Sequence, residues 1–159
     1  MKWTPKRLKF LLNIYPPYLG AGIRVTHVGD DWREIHVAMK LRWYNRNRVG
    51  THFGGSLYAM AEPHPMLMLM QLLGSDYIVW DKLAEIEFVA PGKGTVRSVV
   101  RITDQQLAAI KQNTANGNRY LPEFDLQVVD AENKIVAKIK KTVYVRKIRG
   151  MTASGRAVG

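Results

Sequence analysis

A long, largely apolar segment of the sequence carries a single acidic residue, Glu62. The segment runs from Ser56 to Leu73, and no Lys or Arg lies within four residues of Glu62 on either side. Apolar surroundings disfavour the ionised form of a carboxylate and strengthen it as a base, which suits a general base or a nucleophile. A structural interpretation stays open, because Glu62 and Pro63 could cap a second helical segment and begin its first turn.

Two glycines precede this segment, in Thr51-His52-Phe53-Gly54-Gly55-Ser56. Glycines at the start of a helix allow close approach to the backbone, and the N–H groups together with the helix dipole can hold an anion or a developing oxyanion. A Gly-Gly pair is more often a tight turn; it matters here because Glu62 follows about two helical turns later. His52 is a further candidate acid, base or substrate contact in the same loop.

The sequence lacks the residues that several other common kinds of functional site require. The chain has no Cys, which excludes disulfides, thiolate metal sites and a cysteine nucleophile. No pair of histidines and acids has metal-ligand spacing, and the glycine motifs for mononucleotides and dinucleotides are missing. We therefore expect no metal and no separate cofactor.

The charge balance favours an anionic partner. Lys and Arg number 24 against 13 Asp and Glu, and residues 133–159 contain eight basic residues and no acidic one. Most of these charges are expected on a solvated sheet face that discourages edge pairing. Nucleic acid is not the favoured partner, because Tyr144 is the one aromatic residue in the basic final strand. A phosphate-binding groove is the alternative, and further basic residues could contribute to it: Arg46, Arg48, Lys93, Arg97 and Arg101.

Hydrophobic periodicity predicts the elements that must position these residues. Thr4 and Pro5 predict the start of a short docking helix with an apolar stripe, and a helix at a membrane surface is the alternative. Pro63 and Pro65 predict a kink in the central helix, or two abutting helices. A minor helix is predicted from Thr103 to about residue 113. Apolar and polar residues alternate in segments that predict six strands, 23–27, 35–41, 84–88, 96–102, 124–128 and 135–147.

These elements predict an α+β fold, a curled antiparallel sheet wrapped around a central helix. Residues 1–150 are expected to form one domain that includes the N-terminal docking helix, and 151–159 a disordered tail. No apolar run is long enough to span a bilayer, and no signal peptide is recognisable. The expected location is the cytoplasm.

Over roughly Gly20 to Lys147, the sequence resembles the hotdog-fold acyl-CoA thioesterase superfamily. The PaaI-like branch has the motif N-x-x-G-x-x-H-G-G, followed by an acidic residue seven positions after the last glycine. Asn47 to Gly55 keeps this spacing, and Glu62 takes the acidic position. Phe53 stands at the position of the motif histidine, with His52 one residue earlier. The closest likeness is to an uncharacterised branch of the superfamily, of which segments 74–82 and 88–92 look typical.

The resemblance implies hydrolysis of an acyl-CoA, medium-chain, long-chain or aryl, at a site between the subunits of a homodimer or a dimer of dimers. Glu62 would be the general base or nucleophile, the Gly55 N–H the oxyanion donor, and Asn47 the group that positions the thioester or water. Coenzyme A would enter as part of the substrate. The departure at Phe53 leaves open a non-catalytic hotdog module that binds acyl-CoA or a fatty acyl ligand. The expected substrate contacts are Arg48, Thr51, Gly54, Ser56, Lys93 and Arg97.

Overall fold

The computed structural model describes residues 3–148. Within this range the chain forms five helices and seven strands. The helices are α1 (Pro5–Ile14), α2 (Pro16–Ala21), α3 (Gly54–Ala59), α4 (His64–Leu73) and α5 (Asp104–Thr114). The strands are β1 (Ile23–Val28), β2 (Glu34–Lys40), β3 (Tyr77–Phe88), β4 (Thr95–Arg101), β5 (Arg119–Tyr120), β6 (Glu123–Val129) and β7 (Ile135–Lys147). The expected tail, residues 151–159, lies outside the described residues.

The N-terminal helix lies against the first strand of the sheet. The Thr4 hydroxyl accepts a hydrogen bond from the N–H of Arg7 and so caps α1. The side chain of Asn13 exchanges two hydrogen bonds with the backbone of Val25, each 2.9 Å long. The helix α2 is not among the predicted elements; it begins at Pro16, and proline suits the first turn of a helix.

All strand pairs are antiparallel, and the spatial order is β1-β2-β4-β6-β7-β3, with β5 beside β7. The strand β3 therefore ends the sheet on one side. It begins at Tyr77 rather than at the predicted Ala84. Two features explain why the sequence pattern does not indicate the first half of this strand. The register shifts between Asp81 and Leu83, and none of the 12 residues is fully buried.

The apolar segment forms two helices that run through the centre of the fold. A turn over residues 60–63 separates α3 from α4, where Pro63 and Pro65 lack the N–H groups that would continue one helix. Met68 and Leu69 on α4 are fully buried, as are inward-facing residues of β2, β4 and β6 such as Ile35, Val100 and Val128. The predicted α+β fold, an antiparallel sheet against a central helix, is confirmed.

No helix within residues 3–148 has the length and apolar character that crossing a membrane requires.

Two methionines of α4 provide a matched test of this packing. Met68 is fully buried and Met70 is 45% exposed, so the same truncation removes core contacts at one position and few at the other. We expect Met68→Ala to lower the free energy of unfolding by about 2–5 kcal/mol and Met70→Ala by about 0.5 kcal/mol or less. Urea denaturation of both variants measures the difference, and equal losses would contradict the placement of α4.

Candidate active site

Glu62 lies in the turn between α3 and α4 and is paired with a buried lysine. Its Oε1 accepts a hydrogen bond of 2.7 Å from Nζ of Lys141, which also lies 3.0 Å from Oδ1 of Asp81. The side chain of Lys141 is 2% exposed, against 25% for Glu62 and 27% for Asp81. The expectation of purely apolar surroundings for Glu62 is therefore wrong, because its cation comes from a strand 79 positions later in the chain.

Strand geometry brings these groups together. Lys141 occupies an inward-facing position of β7 between the buried Ile139 and Val143. Its register partner on β3 is Ala84, and the register shift in β3 places Asp81 opposite Val143. Asp81 thus reaches Lys141 from the neighbouring strand, while Glu62 reaches it from the helical layer.

The ionisation of this cluster follows from burial and from its opposite charges. Burial by itself lowers the pKa of Lys141, but the contacts of its ammonium group with the Glu62 and Asp81 carboxylates outweigh this effect, and the pKa lies above its usual value. Burial raises the pKa of Asp81, Lys141 lowers it and Glu62 raises it again, so the net shift is upward. Burial and the Glu62 carboxylate raise the pKa of Tyr58, four residues before Glu62. The phenol and the ammonium both keep their protons at neutral pH.

A buried histidine supports the turn that carries Glu62. Nε2 of His64 lies 3.1 Å from the carbonyl oxygen of Met60 and 3.2 Å from the hydroxyl of Tyr18. That hydroxyl in turn donates to the carbonyl oxygen of Ala59. Burial lowers the pKa of His64 to about 4, so the ring is neutral at pH 7.

Asn47 and His52 hold their own loop. Oδ1 of Asn47 accepts from the N–H groups of Val49 and Thr51, and its Nδ2 donates to the hydroxyl of Thr51 and the carbonyl oxygen of His52. The His52 ring is buried, and its Nε2 lies 3.0 Å from the carbonyl oxygen of Gly94. Burial lowers the pKa of His52 below its usual value. Both side chains are therefore engaged in backbone contacts.

A cleft of about 640 Å³ lies beside this loop. Its wall combines polar residues of the loop with apolar residues of α3 and of the end of β3. Five of the predicted site residues line it: Asn47, Thr51, His52, Gly54 and Lys93. Its apolar wall includes Leu57, Phe88 and Val89.

Aromatic rings lie close to both glycines. A Cβ at Gly54 would lie 2.9 Å from the ring of Phe88, and one at Gly55 would lie 2.5 Å from the ring of Phe53. Phe53, at the motif histidine position, is 57% exposed and covers Gly55. The N–H groups of both glycines, at the start of α3, have no acceptor among residues 3–148.

Other predicted site residues lie elsewhere. Glu62 does not line the cleft, and Ser56 is buried in the first turn of α3. Arg48 lines a neighbouring cleft of about 570 Å³, together with Arg46 and the exposed Trp43. Arg97 faces a separate groove, where it contacts Asn133. Within a single chain, the cleft therefore brings together the loop residues and Lys93, whereas Glu62 and Arg97 lie outside it.

Sequence reasoning missed Asp81 and Lys141. The signal for Lys141 was present, since alternation in the final strand places it on the same face as Ile139 and Val143. No such pattern indicates the position of Asp81, because the first half of β3 is irregular and shows no clear alternation of apolar and polar residues.

The family model of a domain of unknown function, DUF4442, matches residues 6–145. The chain belongs to the DUF4442 family. No curated protein matches this DUF4442 chain in sequence.

Solved structures share its fold at low sequence identity. A Pseudomonas aeruginosa protein of unknown function, called a probable thioesterase, matches with a TM-score of 0.79 and 18% identity over 92% of this chain and 98% of its own. A Haemophilus influenzae thioesterase matches with a TM-score of 0.68 and 18% identity over 95% and 96%. The PaaI protein of the E. coli phenylacetic acid degradation operon matches with a TM-score of 0.62 and 15% identity over 91% and 93%. The predicted hotdog fold, in a branch of unknown function, is confirmed.

The buried His64 predicts a loss of stability in acid. Because its pKa is about 4 in the folded chain and near 6.5 when exposed, protons bind the unfolded chain first as the pH falls below 6.5. This difference should lower the free energy of unfolding by about 3 kcal/mol between pH 7 and pH 4. The variant His64→Gln removes the titration and keeps a donor for the carbonyl oxygen of Met60.

Urea denaturation across this pH range should give a shallower decline for His64→Gln than for the unchanged protein. His27→Gln is the control, because His27 is exposed on β1. A decline equally steep in all three proteins would contradict the neutral, buried state of His64.

Proposed function

We propose that this DUF4442 protein hydrolyses an acyl-CoA thioester and that Glu62 is the general base or nucleophile. The observation that carries the proposal is the Glu62 carboxylate, paired with a buried ammonium and open to the surface over a quarter of its side chain. It follows a glycine pair whose N–H groups have no acceptor among residues 3–148, and Gly54 of this pair lines a cleft with an apolar wall. The hotdog fold, shared with proteins called thioesterases, supports the same reaction class.

The proposed reaction needs one base and one oxyanion donor. As a base, Glu62 takes a proton from water while the water oxygen attacks the thioester carbonyl carbon. The carbonyl oxygen becomes an oxyanion that accepts a hydrogen bond from the Gly55 N–H. When the carbon–sulfur bond breaks, the thiolate of coenzyme A takes up the proton, and a free acid and coenzyme A leave. In the nucleophilic variant, Glu62 attacks the carbon itself, the carbon–sulfur bond breaks, and the coenzyme A thiolate leaves and takes up a proton. Water then hydrolyses the mixed anhydride, which releases the free acid and restores the Glu62 carboxylate.

A second copy of the chain would bring the two halves of this site together. The strand β3 ends the sheet, and an unpaired edge of 12 residues favours pairing with another strand. If β3 pairs antiparallel with β3 of a second copy, its first half, with Asp81, lies beside the last half of the other strand, which ends at Phe88 in the cleft wall. Glu62 of one copy would then approach the cleft of the other. The proposed assembly is accordingly a homodimer, or a dimer of dimers.

The charges around the cleft support coenzyme A as the leaving group. Lys93 lines the cleft, and Arg46 and Arg48 line the adjoining one beside Trp43, whose side chain is 80% exposed. Guanidinium and ammonium groups bind phosphates, and an exposed indole offers a stacking surface for an adenine ring. The acyl or aryl group would contact the apolar wall. Because acyl-CoA is used inside cells, we propose the cytoplasm as the place of action.

A second candidate function is acyl-CoA binding without hydrolysis. It is favoured by the Phe53 ring, which covers Gly55 where the motif has a histidine, and by the engagement of Asn47 and His52 in their own loop. Such a protein would hold the ligand in the same cleft and leave the thioester intact.

Removal of the charge on Glu62 separates the two functions. We expect Glu62→Gln to lower kcat about 100-fold or more on a preferred acyl-CoA, because general-base catalysis contributes about 10²–10⁴-fold. Thiol release across a panel of acyl-CoA chain lengths measures turnover, and calorimetry measures binding by the variant. Glu85→Gln is the control, because Glu85 is exposed on β3 and away from the cluster.

Absence of turnover by the unchanged protein over the whole panel, or full activity of Glu62→Gln, would exclude the hydrolytic proposal. Binding without turnover would establish the second candidate in its place.

The basic residues beside the cleft should affect binding of the nucleotide end. We expect Lys93→Ala and Arg48→Ala each to raise KM for acyl-CoA about fivefold, since an exposed charge pair contributes about 1 kcal/mol or less. The same variants should leave KM unchanged for an acyl-pantetheine substrate, which lacks the nucleotide. Arg97→Ala is the control, because Arg97 faces a different groove. An equal effect on both substrates would contradict the assignment of these residues to the phosphates.

A further inference from the structure

Lys141 is placed where an ammonium group is costly. Lysine is almost never fully buried unless it is paired, and the side chain of Lys141 is 2% exposed. Two carboxylates from different elements, Glu62 and Asp81, lie within 3.0 Å of its Nζ. One cation therefore serves two anions, and the cluster of three carries a net negative charge when all are ionised.

The contact between Lys141 and Glu62 involves one carboxylate oxygen. Oε1 of Glu62 accepts the 2.7 Å hydrogen bond, while no donor among residues 3–148 contacts Oε2. A carboxylate that accepts a short hydrogen bond from a buried ammonium group is held in a defined orientation. Asp81 approaches the same ammonium at 3.0 Å without a hydrogen bond of good geometry, so Glu62 has the stronger contact.

The other groups that face Glu62 are neutral near pH 7. Burial raises the pKa of Tyr58 on α3 and of Tyr18 on α2, so both remain phenols. Burial lowers the pKa of His64 on α4, so its ring remains uncharged. The charges that act on Glu62 at close range therefore come from β7 and β3, through Lys141 and Asp81.

From this geometry we propose that Lys141 is a positioning residue, which orients the Glu62 carboxylate through its ammonium group, and that Asp81 opposes it by sharing the same ammonium group. This inference rests on the proposed function for its catalytic meaning. The charge coupling itself is a property of the cluster and is measurable without turnover.

The coupling predicts shifts of opposite sign in the titration of Glu62. In Lys141→Met the carboxylate loses its cation, and its titration midpoint should rise by about one pH unit or more. In Asp81→Asn it loses a neighbouring anion, and the midpoint should fall. Lys141→Arg keeps the positive charge and should retain the unchanged midpoint. Carboxyl ¹³C NMR of glutamate-labelled protein measures each midpoint, with Glu62→Gln to assign the signal.

The acid limb of the pH–rate profile should move in the same directions, to higher pH in Lys141→Met and to lower pH in Asp81→Asn. A lysine with a merely structural role would lower activity equally at all pH values. Lys140→Met is the matched control, because Lys140 neighbours Lys141 on β7 but is exposed. Its Nζ lies 3.9 Å from Oε2 of Glu123 on β6. It should change neither the NMR midpoint nor the profile.

Each outcome decides between the two proposals. Unmoved midpoints in Lys141→Met and Asp81→Asn overturn the inference, even if the protein hydrolyses acyl-CoA. Shifted midpoints in a protein without turnover support the charge coupling and reject the thioesterase proposal. If Lys141→Met does not fold, Asp81→Asn carries the test alone, and a midpoint that does not fall overturns the inference.

Discussion

The buried ammonium group of Lys141 connects the two longest strands of the sheet with the central helices. Lys141 extends from the longest strand, β7, and contacts a carboxylate of the edge strand β3 and another from the turn between α3 and α4. A buried charge without a partner costs about 3–5 kcal/mol, so the position of each element constrains the other two. The same contact sets the electrostatic surroundings of Glu62. A change in the packing of the sheet around Lys141 would therefore also change the charge environment of the proposed base.

The loop before α3 uses its polar side chains differently. Asn47 and His52 are of the types expected to contact a substrate, yet their hydrogen bonds go to their own loop and to Gly94. The main chain of the loop keeps hydrogen-bonding capacity instead: the N–H groups of Gly54 and Gly55 have no acceptor among residues 3–148, and Gly54 lines the cleft. The polar side chains of the loop therefore stabilise its conformation, and these two backbone N–H groups are donors that stay free within this range.

Much of the fold could be predicted where local signals agree with the final packing. The start of α5 at Thr103 and the two strands β1 and β2 follow from spacing alone. The first half of β3 could not be predicted, because an edge strand with a register shift buries neither face fully and so shows no alternation. The helix α2 was missed because proline is compatible with both the end and the start of a helix.

The sequence by itself determined the chemical types of the site and their spacing along one segment: the loop from Asn47 to Gly55, and one acid in the apolar stretch that follows. It also determined that this stretch enters the core, since hydrophobic burial depends on residue type. Only the tertiary structure decided the charge environment of Glu62, because its cation is 79 positions away and electrostatic forces depend on distance in space. For the same reason the order of strands, and not their sequence, placed Asp81 beside Lys141 and left β3 at the edge of the sheet.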